Sequence, residues 1–183
     1  MSLTPWKILS SNYLYRANGV ALRVDQCEIP NGNFFEPYVI ETGTWVNIIA
    51  LTKNREVVLV KQYRHGAGQV MLEIPAGVMD AEDESPLQTA KRELLEETGY
   101  TSEKFIEVGS SYPNPATHTN MTYSFLALDV EHVGQQHLDE TEEIEVSLLP
   151  FDEFIALAKR GELPQALHIT ALFFALAYLE HNP

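Results

Sequence analysis

Residues 92–99 have the sequence Arg-Glu-Leu-Leu-Glu-Glu-Thr-Gly, and much of the architecture can be inferred from them. Glu96 and Glu97 follow Glu93 by three and four positions, so a helix brings all three carboxylates to one face. Like charges at these spacings destabilise a helix by roughly 0.2–0.5 kcal/mol per pair. A hard divalent cation offsets that cost, because Mg²⁺ prefers carboxylate oxygens together with water. Arg92 can pair with Glu96, which leaves Glu93 and Glu97 as the better ligand pair.

The residues around this segment predict a helix that follows a strand and a loop. Residues 85–88, Ser-Pro-Leu-Gln, form a capping box with proline at the first helical position, and Gly99 suits the C-terminal cap. Residues 74–77, Ile-Pro-Ala-Gly, end a strand at a glycine, so backbone carbonyls are expected near the carboxylates. A solvated acidic face is the commoner interpretation of a bare Glu-x-x-Glu-Glu pattern. The strand, the loop and the cap favour a metal-binding helix instead.

The rest of the chain combines strand and helix patterns. Turn signals at 30–33 and 53–55 separate apolar runs that predict strands. These strands are two or three within 6–29, then 38–42, 44–52, 56–63, 105–110, 122–130 and 145–149. Two further helices are predicted at 151–159 and 165–181, and the last is apolar on most faces, so we expect it to be well buried. This order of elements predicts a mixed α/β or α+β sandwich.

The composition is that of an ordinary globular chain with a strong acidic excess. Of its 183 residues 45% are apolar, and the formal net charge of −14 disfavours nucleic-acid partners. The single cysteine, Cys27, excludes an internal disulfide and fits a reducing compartment. The start has no signal-peptide pattern, and the most apolar segment, 169–179, is too short to span a bilayer. We therefore expect a cytoplasmic protein without membrane or nucleic-acid partners.

The segment from Gly77 to Tyr100 resembles the Nudix box, G-x5-E-x7-R-E-U-x-E-E-x-G-U with U apolar. Every specified position from Glu84 onward fits. The first loop departs from the pattern, because six residues rather than five separate Gly77 from Glu84. An extra residue in a surface loop is mild, so only the path near Ala76 and Gly77 is left open. The resemblance implies a Nudix-type α/β/α sandwich with a mixed sheet.

Beyond the box, the chain is similar to the ADP-ribose pyrophosphatase and nucleoside diphosphate sugar hydrolase branch of this family. The shared features are strands within 6–29, the Gln-Tyr-Arg segment at 62–64 and a proline after the box, here Pro115. Members of this branch commonly form homodimers through exchanged N-terminal strands. The resemblance therefore implies an N-terminal antiparallel strand region at 1–40 that dimerises, followed by a Nudix hydrolase domain at 41–183.

The resemblance also implies the metal ligands. They are the box glutamates and the carbonyl before the box glycine, with a further acid from a later loop. In this sequence they correspond to the backbone of Ala76 and the side chains of Glu93, Glu96, Glu97 and Glu142. Mg²⁺ is the expected ion, with Mn²⁺ as an alternative.

The general base comes, by the same resemblance, from an acidic loop after the box. Here that loop is residues 139–143, and Glu140 is the candidate base. A solvated acidic loop is the alternative interpretation. The catalytic candidates are therefore Glu140, Glu97 and Glu93.

The substrate-binding candidates combine a cation, an aromatic ring and polar groups. They are Arg64, Trp45, Glu73 and His118. Arg64 suits phosphate because its fork can bind phosphate oxygens at two places, although a surface salt bridge is the alternative. Trp45 is a candidate to stack on the nucleobase, as are Tyr13 and Tyr15, although such rings more often belong to a core. Asn120 joins His118 as a candidate to line the pocket.

Together these features predict hydrolysis of ADP-ribose, or a related nucleoside diphosphate sugar, to a nucleoside monophosphate and a sugar phosphate. A nucleoside triphosphate or RNA 5′-end pyrophosphohydrolase of the same fold is the alternative. The net charge of −14 argues against a long RNA substrate, and the N-terminal strand region argues against a minimal triphosphatase. A non-catalytic nucleotide sensor is a third hypothesis, and the presence of Glu93, Glu96 and Glu97 argues against it.

Overall fold

The computed structural model describes residues 3–182. By contacts within the chain, it divides into two compact units. Of the described residues, the first unit comprises those up to Gly43 together with Tyr112–Met121, and the second comprises Thr44–Ser111 and those from Thr122 onwards.

The first unit is built on a four-stranded antiparallel sheet. Its strands are β1 (Lys7–Ala17), β2 (Val20–Glu28), β3 (Phe34–Phe35) and β4 (Tyr38–Glu41), with β2 pairing all three others. Asn18 and Gly19 join β1 to β2, and both have positive φ, as a tight two-residue hairpin turn requires. The sequence predicted two or three short strands before residue 30, and the structure has two long ones, which pair along their length with two register shifts.

The second unit contains a mixed seven-stranded sheet, a two-stranded ladder and helices. The large sheet runs β10–β11–β5–β6–β13, with β8 added to β5 and β7 added to β6, and only the β11–β5 pairing is parallel. Its strands are β5 (Trp45–Leu51), β6 (Glu56–Arg64), β7 (Gln69–Glu73), β8 (Ala76–Val78), β10 (Lys104–Ser111), β11 (Thr122–Leu128) and β13 (Ile144–Pro150). The ladder pairs β9 (Tyr100–Thr101) with β12 (Glu131–His132). The helices are α1 (Pro86–Thr98), α2 (Phe151–Lys159) and α3 (Ala166–His181).

Helices cover both faces of the large sheet. Ile49 and Leu51 of β5 pack in a cluster with α2 and α3, whereas Ile48 and Ala50 pack in a second cluster with α1. Successive side chains of a strand point to opposite faces, and both faces are buried here. This explains the continuous apolar run in β5 and β6, and it gives the α/β/α sandwich that the sequence predicted.

The boundaries of α1 agree with the prediction. The Ser85 hydroxyl accepts a hydrogen bond from the Gln88 N–H at 3.3 Å, and the Gly99 N–H donates to the Leu95 carbonyl at 2.8 Å. The reciprocal half of the capping box differs, because the Gln88 amide oxygen accepts from the N–H of Glu84 (2.8 Å). The cap therefore also holds the residue that enters the helix from the loop.

The prediction that the last helix is well buried was wrong. In α3 only His168, Ala171, Leu172 and Ala175 are buried, and Phe173 is 65% exposed. The helix packs on the sheet along one face only, so its apolar composition exceeds what the sheet can cover. The strand predicted to end at Gly77 corresponds to β8, whereas the short strands β3, β7, β9 and β12 were not predicted, because such short segments carry too few residues to show a period. Among residues 3–182, no helix is long and apolar enough to cross a membrane.

Candidate active site

Glu97 connects α1, the helix that carries the box glutamates, to β8, the strand that precedes it. Its carboxylate is almost fully buried and accepts a hydrogen bond from the Ala76 N–H at 3.0 Å. Burial raises the pKa of Glu97 to about 8, against the opposing effect of the Ala76 bond. The negative charges of Glu93 and Glu142 raise it further. A carboxylate in this state favours either a proton or a cation.

Glu93 lies one helical turn earlier, close to the box glycine. A side chain at Gly77 would overlap the Glu93 carboxylate, so this acid would have to move away from its position beside the strand. Burial raises the pKa of Glu93 to about 7, although the nearby Arg92 opposes the shift. The loop that is one residue longer than the box pattern therefore leaves Gly77 facing the helix.

Arg92 binds the loop to the helix on the other side of these acids. Its Nη2 donates to Asp83 at 2.8 Å and to the Val78 carbonyl at 3.2 Å. Its Nη1 lies 3.0 Å from Glu93 and 2.9 Å from Glu96. The hydrogen bond from Arg92 lowers the pKa of the buried Asp83 carboxyl. Arg92 thus partly neutralises Glu93 as well as Glu96, whereas the sequence predicted a pair with Glu96 alone.

A cleft of about 360 Å³ opens beside these residues, entirely within the second unit. Its walls come from β5, β6, β8, α1 and the loop that precedes β13. The sequence-predicted candidates that line it are Trp45, Arg64, Ala76, Glu93, Glu96, Glu97 and Glu142. The fold therefore brings together residues from separate parts of the chain.

Arg64 is held at the edge of this cleft by a buried acid. Its Nη2 donates to Glu73 at 2.6 Å and its Nε donates to the same carboxylate at 3.0 Å. Glu73, a substrate-binding candidate from the sequence, is fully buried, and the Gln62 amide also donates to it at 3.4 Å. The position of Glu73 behind Arg64 suits orientation of the guanidinium.

The acidic loop contributes Asp139 and Glu142 to the cleft. The Glu142 N–H donates to the Asp139 carbonyl at 3.0 Å, and the Asp139 N–H donates to the Glu142 carboxylate at 3.1 Å. Glu140 is exposed and lies outside the lining of the cleft. The structure thus brings one of the two loop candidates, Glu142, to the other acids.

The remaining candidates belong to the first unit. There the main chain of His118 forms a bridge to Ile40, and its ring Nδ1 pairs with the Thr117 hydroxyl at 2.9 Å. The Tyr13 hydroxyl donates to Glu41 at 3.2 Å.

Trp45 is the aromatic candidate in the cleft, where its indole N–H donates to the buried Asn47 amide oxygen at 3.3 Å.

Several residues of the site region were missed by sequence reasoning. Asp83, Gln136 and His137 lie in loops whose sequences show no periodic signal. His168 of α3 is buried, and among residues 3–182 its Nε2 has no hydrogen-bond partner. Burial, followed by the charge of Arg64, lowers the pKa of His168 to about 3, so this imidazole is neutral near pH 7. Asp83 could have been found, because the arginine of the box, Arg92, is expected to pair with a nearby carboxylate.

The carboxylates fit a divalent ion as an incomplete donor set. Among residues 3–182, no three His, Cys, Asp or Glu side chains already form a metal-binding group. Mg²⁺ usually takes one or two carboxylates and completes its octahedron with waters and substrate phosphate. Glu93 and Glu97 supply such oxygens, and their pKa values are raised first by burial and then by the negative charges of neighbouring acids.

Comparisons with known proteins agree with this architecture. The chain is 30% identical over 175 residues to the ADP-ribose pyrophosphatase of Bacillus subtilis (strain 168), covering 95% of this chain and 92% of that protein. It is 29% identical over 167 residues to the methanol dehydrogenase activator of Bacillus methanolicus, covering 91% and 90%. The crystal structure of an ADP compounds hydrolase superposes with a TM-score of 0.86 at 21% identity, over 100% of this chain and 98% of that one.

The solved structure confirms the fold, and the sequence comparisons identify the family. The NUDIX domain model matches residues 42–172, a segment that contains Arg64, the box helix and Glu142. The box resemblance, the sandwich and this match agree with one another. The chain belongs to the NUDIX domain family.

Proposed function

We propose that this chain is a metal-dependent pyrophosphohydrolase that cleaves ADP-ribose, or a related nucleoside diphosphate sugar, to a nucleoside monophosphate and a sugar phosphate. The observation that carries the proposal is a pair of carboxylates beside Arg64 in one cleft, the buried Glu97 and the partly buried Glu93. The similarity to a B. subtilis ADP-ribose pyrophosphatase over nearly the whole chain supports this substrate class.

The proposed metal ligands are Glu93, Glu97, Glu142 and the Ala76 carbonyl, with Mg²⁺ as the ion. Glu96 is a weaker ligand, because Arg92 already pairs with it. An ion bound here would polarise the pyrophosphate and lower the pKa of a bound water. The buried position of Glu97 keeps its oxygens away from bulk water and orients them through the Ala76 bond.

The proposed substrate contacts lie on the strands rather than on the helix. Arg64 binds a phosphate oxygen, and Glu73 holds its guanidinium in place. Trp45 stacks on the base, with its indole oriented by Asn47. Glu140 stays the candidate base on the strength of the resemblance, although it lies outside the lining of the cleft and Glu142 lies within it.

A substrate panel tests the proposed activity. With Mg²⁺ present, we expect turnover of ADP-ribose, ADP-glucose or GDP-mannose to exceed turnover of nucleoside triphosphates. Separation of products by ion-exchange chromatography should show a nucleoside monophosphate and a sugar phosphate. Turnover of triphosphates alone would support the alternative triphosphatase function and reject this one.

We also propose a homodimer formed through the first unit. β1 is an edge strand of eleven residues, and ten of them are exposed, including Ile8, Leu14 and Tyr15. A long apolar edge favours association with another chain. Light scattering should give about twice the chain mass of 20.6 kDa. Leu14→Lys should shift the measured mass towards that of the monomer, and a monomeric native protein would contradict the proposal.

A cytoplasmic location stays a prediction from the single cysteine.

Glu97→Gln should remove most of the activity without unfolding the protein. The amide oxygen can still accept the Ala76 hydrogen bond, but the charge that binds metal is lost. A bound metal stabilises the transition state by several kcal/mol, so losing it should lower kcat by roughly a hundredfold or more. Glu103→Gln, an exposed acid outside the cleft, is the matched control. Equal rates for both variants would refute the assignment of Glu97.

Stability should depend on pH through the same residue. The pKa of Glu97 is raised from 4.5 to about 8 on folding, so between these values the folded state binds more protons than the unfolded state. The contribution of Glu97 to the free energy of unfolding is therefore fully present below pH 4.5 and declines as the pH rises towards 8. Thermal unfolding of the metal-free protein should show this decline.

The Glu97→Gln variant isolates that contribution from the rest of the acidic chain. Relative to this variant, the wild-type protein should lose stability between pH 5 and 8 when metal is absent, and Mg²⁺ should restore it most at pH 8. Parallel pH profiles of the two proteins would contradict a desolvated Glu97.

A further inference from the structure

The loop that carries the acidic residues is bound to the end of the catalytic helix. The Val133 N–H donates to the Gly99 carbonyl at 2.9 Å, and the His137 N–H donates to the Glu96 carbonyl at 2.9 Å. The last carbonyls of a helix have no partner within the helix. Here the loop supplies the donors, so its path depends on where α1 ends.

The Gln136 side chain adds a second connection at the same place. Its amide nitrogen donates to the Glu97 carbonyl at 2.6 Å and to the Ile144 carbonyl at 3.1 Å. One amide therefore joins the metal-ligand candidate Glu97, at the level of the main chain, to the first residue of β13.

These two bonds hold both ends of the acidic segment. Residues 137–143 lie between Gln136 and Ile144, and the Gln136 amide donates directly to the Ile144 carbonyl. Asp139 and Glu142 lie within that segment and line the cleft. The separation between Glu142 and the helix acids thus depends on a contact that involves none of their carboxylates.

We propose that Gln136 is a positioning residue for the acidic loop, holding Glu142 at the distance from Glu93 and Glu97 that metal binding requires. This inference rests on the proposed function, in which these three acids share the metal. A plain structural cap would stabilise the fold equally well, so the test must use readouts that depend on the loop.

The test compares Gln136→Leu, which removes both hydrogen bonds, with Gln135→Leu, a matched change at the exposed neighbour. We expect Gln136→Leu to lower kcat by about 10–100-fold and to weaken Mg²⁺ binding by a similar factor, as is typical when a ligand loses its supporting contact. The KM for substrate should change little, because Arg64 and Trp45 lie on other strands. Gln136→Met repeats the test if the leucine variant does not fold.

A double variant decides whether Gln136 acts through the loop. Once Glu142→Gln has removed the ligand, adding Gln136→Leu should not weaken Mg²⁺ binding further. A further loss of Mg²⁺ affinity in the double variant, or a Gln136→Leu variant that matches Gln135→Leu, would overturn the proposal.

Titration with Mg²⁺ alone separates this inference from the proposed substrate. If wild-type protein turns over no member of the panel, the proposed function fails, yet Mg²⁺ affinity still reports on Gln136. Equal Mg²⁺ affinity for the Gln136→Leu and wild-type proteins would overturn the positioning role whatever the substrate.

Discussion

The hydrogen bond from the Ala76 N–H to the Glu97 carboxylate is the contact on which the rest of the site depends. It fixes α1 against β8 and takes a negative charge out of water in doing so. Isolated buried charges are costly, and the raised pKa of Glu97 records that cost. The fold therefore keeps at its centre an acid that is fully compensated only when a proton or a cation joins it.

Arg92 limits this cost without removing it. A guanidinium has five donors in a planar fork, and this one reaches Asp83, the Val78 carbonyl and two acids of α1. It thereby orders the loop before the helix and screens Glu93 and Glu96. The two helix acids that Arg92 reaches are Glu93 and Glu96, whereas Glu97 is bonded to the Ala76 N–H of β8 and stays the least compensated of the three.

The parts of this arrangement that spacing rules predicted, without the family resemblance, are local. The helix, its cap at Ser85 and its end at Gly99 follow from spacing rules, because each contact joins residues within one or two turns. The contact between Arg64 and Glu73 depends on strand pairing. The contact between Gln136 and Glu97 depends on the path of a loop. No spacing rule relates such residues. The excess apolar surface of α3 was missed because composition does not say how much of a helix the sheet covers.

The charge balance of the cleft explains why metal and substrate belong together. A pyrophosphate is anionic, and the chain carries a net charge of −14. Both arginines that line the cleft are already paired, Arg64 with Glu73 and Arg92 with Asp83 and Glu96. The carboxylates beside these two arginines offset much of their positive charge, so further cations must accompany the phosphates into an acidic site. Carboxylates that repel the substrate when alone become its anchor once an ion lies between them.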